Sequence, residues 1–310
     1  MALAIELGKD YYTTGDALSG HVHVASVPDD APFALVVTLR GKEKVVVASH
    51  PAGAKALPPT THRHAFFEDT LLHTAITTAP TSFGFDFEWP EELPGSYENV
   101  RHAALQAKIQ YKLCARLMRG DATIASVTRP ILLYGTTSYV AKPFSENQSQ
   151  KILFLKCLSQ GRCSVEMTLD KNVYAIGDSI QITADIQNTS RRRVKCIRYV
   201  CTQDVHVQCG PSTRIFSSDV GHDTRGGLAP YKSVLRIDMC DALRNQLYPS
   251  TRGTLLRVEY ALRIIVEIPS CPNVELMLPL IVGPPKASSI FAPPPTPLHR
   301  RKGFSTEDSV

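Results

Sequence analysis

Long apolar runs are missing from this sequence: no stretch approaches the roughly 18–20 residues that cross a bilayer as a helix. The opening Met1-Ala2-Leu3-Ala4-Ile5-Glu6 has neither the basic nor the extended apolar region of a secretory signal. Ala2 stands where myristoylation needs glycine, and no CaaX box closes the chain. No C-x-x-C pair joins any of the eight cysteines, Cys114, Cys157, Cys163, Cys196, Cys201, Cys209, Cys240 and Cys271. The expectation is free thiols in a reducing compartment, with no metal and no cofactor. The motifs G-x-S-x-G, H-E-x-x-H and the P-loop are also missing, so no catalytic residues are assigned and no enzyme is expected. His62-Arg63-His64 follows a proline-containing stretch of small residues and reads as a solvated loop. Charge of one sign is scarce as well: 34 Lys and Arg against 29 Asp and Glu leave a net +5. That excess is too small to indicate nucleic acid, but it leans towards an acidic partner or an anionic surface.

What the chain does contain is strand signal. Gly20–Val24 alternates with period two, and Phe83–Trp89 alternates aromatic with other residues. Phe33–Gly41, Ser179–Ile186 and Leu255–Ile265 are β-branched or apolar runs set between turn residues. Sustained helical periodicity is absent; one short helix fits within 99–107 or 240–247. Many short strands between frequent turns predict sandwiches.

A repeat sets the domain count. Tyr12-Thr13-Thr14-Gly15-Asp16 returns as Tyr174-Ala175-Ile176-Gly177-Asp178, each copy preceded by a lysine (Lys9, Lys171) and followed by an alternating strand. Ile109-Gln110-Tyr111 likewise resembles Val258-Glu259-Tyr260. The expected organisation is a first sandwich over residues 1–142, a polar linker over 143–150, a second sandwich over 151–285 and a disordered tail over 286–310. The tail carries a proline cluster and the basic run Arg300-Arg301-Lys302.

Three segments together resemble the arrestin fold family, and most closely its arrestin-domain-containing (α-arrestin) branch. They are Tyr12-x2-Gly15-Asp16-x-Leu18-x-Gly20-x-Val22; Phe85-x-Phe87-x2-Pro90-x2-Leu93-Pro94-Gly95-Ser96-Tyr97 with Ile109–Leu113; and Gly161-x-Cys163 leading to Asp170-Lys171-x2-Tyr174-x2-Gly177-Asp178. The resemblance covers residues 5–284. It implies an all-β protein of two immunoglobulin-like β-sandwich domains. It also implies a non-enzymatic adaptor linking cytoplasmic segments of membrane proteins to ubiquitin ligases or coat proteins. Such a protein would be cytoplasmic and peripheral at the plasma membrane or endosomes. A stable subunit of an endosomal sorting coat, similar to the arrestin-like component of retromer, is the alternative within the same fold. A β-sandwich binder or enzyme with an unrecognised site is the alternative outside it. The PPxY motif that recruits WW-domain ligases in many α-arrestins is absent. In Arg129–Tyr134, Leu or Tyr stands about where receptor-type arrestins place a phosphate-sensing basic residue.

The densest positive run is Arg191, Arg192, Arg193 and Lys195, after the turn signal Asn188-Thr189-Ser190. It reads either as a clamp for a phosphate or phosphoinositide headgroup or as a solvated hairpin tip. A loop like it in receptor-type arrestins carries an inositol-phosphate site. In the tail, Pro294, Pro297 and Arg300 approximate an SH3-type ligand, and Asp308 with Val310 a PDZ ligand. Ser305 and Thr306 precede Glu307-Asp308 and are candidate phosphorylation sites.

Overall fold

The structure is a computed structural model, and it describes residues 3–27, 32–48, 59–77, 79–135, 142–154, 158–226, 232–238 and 247–285. Every regular element among them is a strand. The first domain pairs a three-stranded sheet with a larger one. The small sheet has the order β1 (Leu3–Leu7), β3 (Ala17–Val24), β6 (Thr81–Glu88). The large sheet runs β2 (Tyr11–Thr13), β9 (Ala122–Tyr134), β8 (Leu105–Arg119), β4 (Phe33–Val47), β5 (Thr60–Ile76), and β7 (Tyr97–Glu98) also joins β8. The second domain repeats the plan. Its smaller sheet is β10 (Phe144–Phe154), β11 (Leu158–Leu169), β13 (Ser179–Asn188), β16 (Lys232–Asp238). Its large sheet is β12 (Val173–Ala175), β19 (Val274–Gly283), β18 (Leu256–Glu267), β14 (Cys196–Cys209), β15 (Ser212–Gly226), with β17 (Thr251–Arg252) on β18. Alternate residues of β3, β4, β8, β13 and β14 are buried, so one face of each sheet supplies the core.

The repeat seen in the sequence is a repeat of hydrogen bonds. β2 and β12 each lie parallel to the last strand of their domain, β9 and β19. The turns that follow place Gly15 at φ 86° and Gly177 at φ 97°, a region that suits glycine. Asp16 accepts the Thr13 N–H at 3.0 Å and Asp178 the Ala175 N–H at 3.2 Å. Lys9 and Lys171 sit on those carboxylates and over the rings of Tyr12 and Tyr174. On the central strands, Tyr111 donates its hydroxyl to the Pro94 carbonyl and Tyr260 to that of Tyr248. Ser96 and Ser250 each donate a backbone N–H to the last strand, at Leu133 and Val282, and each accepts one back on its hydroxyl. Burial pushes the Tyr111 and Tyr260 hydroxyls far above their ordinary range, so both stay neutral donors.

Three sequence expectations need correction here. The polar stretch read as linker is the first half of β10, paired with β11 from Phe144↔Leu169 onward. It is an edge strand whose Ser145–Gln148 are all exposed, so its pairing comes from backbone groups and leaves no alternation to read. His62-Arg63-His64 lies within strand β5, not in a loop; His62 and His64 are half-buried and the His64 ring packs by Phe66. A helix within 99–107 is not formed either. Asn99 instead folds residues 99–105 into a turn, donating to the His102 and Leu105 carbonyls, and the other candidate span lies largely outside the described residues.

The two sandwiches meet through equivalent loops. The rings of Tyr97 and Tyr248 pack edge-on at 5.4 Å, and Thr251 donates its hydroxyl to the Gly95 carbonyl at 3.3 Å. His102 of the first domain lies against Phe216 of the second, 5.7 Å between ring centres. At the centre Glu43 of β4, only 1% exposed, crosses the seam. Its carboxylate accepts the Thr254 N–H at 3.0 Å and the Leu255 N–H at 2.6 Å. Gly253, whose N–H bonds the Leu256 carbonyl, closes the turn that presents them. A Cβ on Gly253 would sit 1.5 Å from Glu43 Oε1, so only glycine permits this approach. Burial pushes the Glu43 carboxyl above the usual carboxylate range, and the Leu255 and Thr254 N–H groups, then His64, draw it back.

Replacing Gly253 by alanine therefore expels Glu43 and strands two buried donors, at a cost of about 1–3 kcal/mol in chemical denaturation. In a Glu43→Ala background the same change should cost only a few tenths, because nothing is left to collide with. Additive costs in the four-variant cycle would contradict the clamp. Because folding raises this carboxyl, its contribution is fullest below the unfolded-state value and is lost as pH rises through the raised one. Stability of wild type relative to Glu43→Gln should fall across that window.

Candidate functional site

The basic run of the sequence is not a hairpin tip. Residues 189–195 cross from β13, in the smaller sheet of the second domain, to β14 in the larger one. Asn188 organises the crossing: its Nδ2 donates to the Arg192 carbonyl at 2.7 Å, and its Oδ1 accepts the N–H and hydroxyl of Ser190. The Thr189 N–H bonds the Arg162 carbonyl at 2.9 Å and the Arg191 N–H the Gln160 carbonyl at 2.8 Å, which sews the crossover to the start of β11. Gly161 makes that seat possible. It holds φ 117°, and a Cβ there would lie 2.8 Å from Ser190 Cα and from the Thr189 carbonyl oxygen.

The five residues of the run have separate fates. Val194 is buried in the core. Lys195 approaches Glu267 at 3.7 Å, where Arg198 also binds at 2.7 Å. The Cys196 thiol, with Arg198 and Lys195 beside it, holds the Glu267 carboxyl below the usual carboxylate range. Arg192 is half-buried, while Arg191 and Arg193 are exposed and have no side-chain partner among the described residues. The β10–β11 pair adds two more cations nearby, since Lys151 and Arg162 stand opposite each other and both are exposed. Sequence reading missed these two because it had assigned the region before them to a linker; a paired β10 would have placed them.

At the end of the first domain Arg129 donates to the Ile5 carbonyl at 3.0 Å, and Tyr134 packs on Tyr11. Pro294, Pro297, Arg300, Asp308 and Val310, with the phosphorylation candidates, lie outside the described residues.

Over residues 159–287 the chain matches the family model of the arrestin (or S-antigen) C-terminal domain. Human thioredoxin-interacting protein is 32% identical over 289 residues, which cover 88% of this chain and 71% of that protein. The chain belongs to the arrestin-domain family, in its α-arrestin branch. This α-arrestin is also 22% identical to Arrestin domain-containing protein A of Dictyostelium discoideum, across 95% of this chain and 53% of the relative. Human Arrestin domain-containing protein 4 is 22% identical across 89% of this chain and 68% of that protein. The chain thus spans about half the length of the Dictyostelium relative and about seven-tenths of the human ones. The expected fold of two β-sandwich domains and the expected family are both borne out. No helix among the described residues is long and apolar enough to cross a membrane.

The seat of the crossover can be tested by its glycine. Gly161→Ala should destabilise the protein by about 1–3 kcal/mol, since the side chain meets both a strained φ and a backbone wall. Gly210→Ala is the contrast: φ is 64° and nothing lies within 4 Å of its Cβ position, so the loss should stay near about 1 kcal/mol. Equal denaturation midpoints for the two variants would show that the crossover is not seated on β11 in this way.

Proposed function

We propose that this α-arrestin is a non-enzymatic adaptor. It holds a cytoplasmic segment of a membrane protein on its sandwiches and brings it to ubiquitination or endosomal sorting machinery. The observation that carries this reading is the build of the molecule. Two sandwiches are tied into one body by a buried carboxylate and paired loops, with broad sheet faces turned outward. A frame of this kind presents surfaces, and the family relationship supports the same role. The basic crossover serves as the membrane-side contact. Arg191, Arg192, Arg193 and Lys195, with Lys151 and Arg162 beside them, would meet the phosphates of an anionic headgroup and place the protein at the plasma membrane or endosome. The segment beyond Pro285 would recruit a second partner through its proline and basic residues.

Proximity labelling in cells tests the adaptor reading, comparing the full chain with one ending at Pro285. The full chain should enrich transporters or receptors together with ligases or coat proteins, and truncation should remove one of those sets. One fixed stoichiometric set returned by both chains would mark a complex subunit instead.

A further inference from the structure

The turn that receives Glu43 has a second side. Arg252 of β17 and Arg257 of β18 flank it and stand directly opposite each other in the register. Their neighbours Thr251, Leu256 and Val258 are buried, so both arginines lie on the outward face of the sheet. Between this turn, the outward side chains of β14 and the start of β15 lies a cavity of about 270 Å³. His206, Gln208, Thr213, Arg252, Thr254 and Arg257 line it with the rest of the turn. The Gln208 N–H bonds the Leu255 carbonyl at 2.8 Å and the Gly253 N–H that of Leu256 at 2.9 Å, so this wall is anchored to the sheet.

Elsewhere on this face opposite charges meet across strands, Arg198 on Glu267 and Arg263 on Glu275. In the first domain, by contrast, the outward charges of β4 and β8 are all cations. At the cavity two arginines face one carboxylate. Arg257 Nε lies 3.3 Å from Glu259 and its Nη2 3.4 Å from His206 Nδ1, while His206 Nε2 lies 3.1 Å from the same carboxylate. These contacts orient the Arg257 fork. Arg252 is exposed and has no side-chain partner among the described residues. The Gln208 amide is held by the Gly210 carbonyl and the Thr213 hydroxyl. Like charges set directly opposite across strands cost stability, and an anion between them would return it.

We propose that this cavity is a site for a small phosphate monoester, held between Arg252 and Arg257, and that its occupancy tightens the seam between the domains. The proposal stands independently of the adaptor reading. Guanidinium forks match the oxygens of a phosphate two at a time, and here one fork is already oriented. The volume falls below the roughly 300–1,000 Å³ of pockets that bury drug-sized ligands, so the ligand is compact. Arg257 and Glu267 stand at opposite ends of β18, roughly 30 Å apart at ~3.3 Å per residue. The cavity is therefore separate from the Lys195 end of the basic crossover. Its position couples it to the seam. Arg252 and Arg257 end the two limbs of the turn whose Thr254 and Leu255 N–H groups bind Glu43. An anion bridging the arginines holds those limbs together, so the ligand and Glu43 support one conformation from opposite sides, and each strengthens the other.

The experiment uses the full chain and glycerol 3-phosphate, with glycerol, and potassium chloride at matched ionic strength, as controls. Calorimetry should show binding of the phosphate and of neither control. At about ten times the dissociation constant the Thr254 and Leu255 amides should exchange up to about tenfold more slowly, because opening the turn releases the ligand. Arg252→Gln, an exposed change that should leave the unfolding midpoint in place, should weaken binding by about tenfold or more. Arg257→Gln should do the same, and R191E/R193E should leave binding unchanged. The proposal is overturned if glycerol 3-phosphate does not bind, if Arg252→Gln binds it equally well, or if it binds without slowing the two amides. A phosphoserine peptide that binds through Arg252 where glycerol 3-phosphate does not would give the cavity to a partner polypeptide, and that result too would overturn it.

Discussion

The relation between the two sandwiches rests on one buried carboxylate. Glu43 leaves the first domain, enters the second, and takes two backbone N–H groups from the turn closed by Gly253. No salt bridge reaches it among the described residues, so it carries a desolvation cost that those two donors, with His64 nearby, partly offset. A contact of this sort is directional in a way that apolar packing is not. It fixes where β4 stands relative to the turn before β18, and hence how the outward faces of both large sheets are presented. The loops on either side, Tyr97 against Tyr248 and Thr251 on Gly95, add packing around it.

The seam is built by duplicated parts. In each domain a tyrosine of the central strand reaches back to a carbonyl of the preceding loop, and a serine of that loop binds the last strand twice. These tie the loops firmly to their own sheets, so the loops that meet at the seam are rigid where they touch. The same duplication makes the difference between the outer faces informative. Strands that match one for one in topology carry mutually compensated charge in the second domain and mostly uncompensated positive charge in the first.

Much of this was legible in the residues. Tyr12–Asp16 and Tyr174–Asp178 could be read because their turns are local: a glycine at positive φ and an aspartate bonding a backbone N–H three residues away leave a fixed spacing. Gly161 belonged to a recognisable segment for a similar reason, since a backbone wall stands where its side chain would be. What was not legible depends on pairing over long distances. β10 shows no alternation because its first half is solvated on both faces, so only its register with β11 makes it a strand. The cations of the first domain come from β4, β5 and β8, which turns and edges separate in sequence; only Arg40-x-Lys42-x-Lys44 shows the period of two. Glu43 between them looks like one more surface charge until the second domain is brought against it.

One measurement tests the seam at its centre: hydrogen exchange of the full chain, wild type against Gly253→Ala. Slow exchange of the Thr254 and Leu255 amides in the wild type and fast exchange in the variant are expected, with β14 and β18 protected in both. Equal protection of the two amides in both proteins would contradict the buried-carboxylate seam.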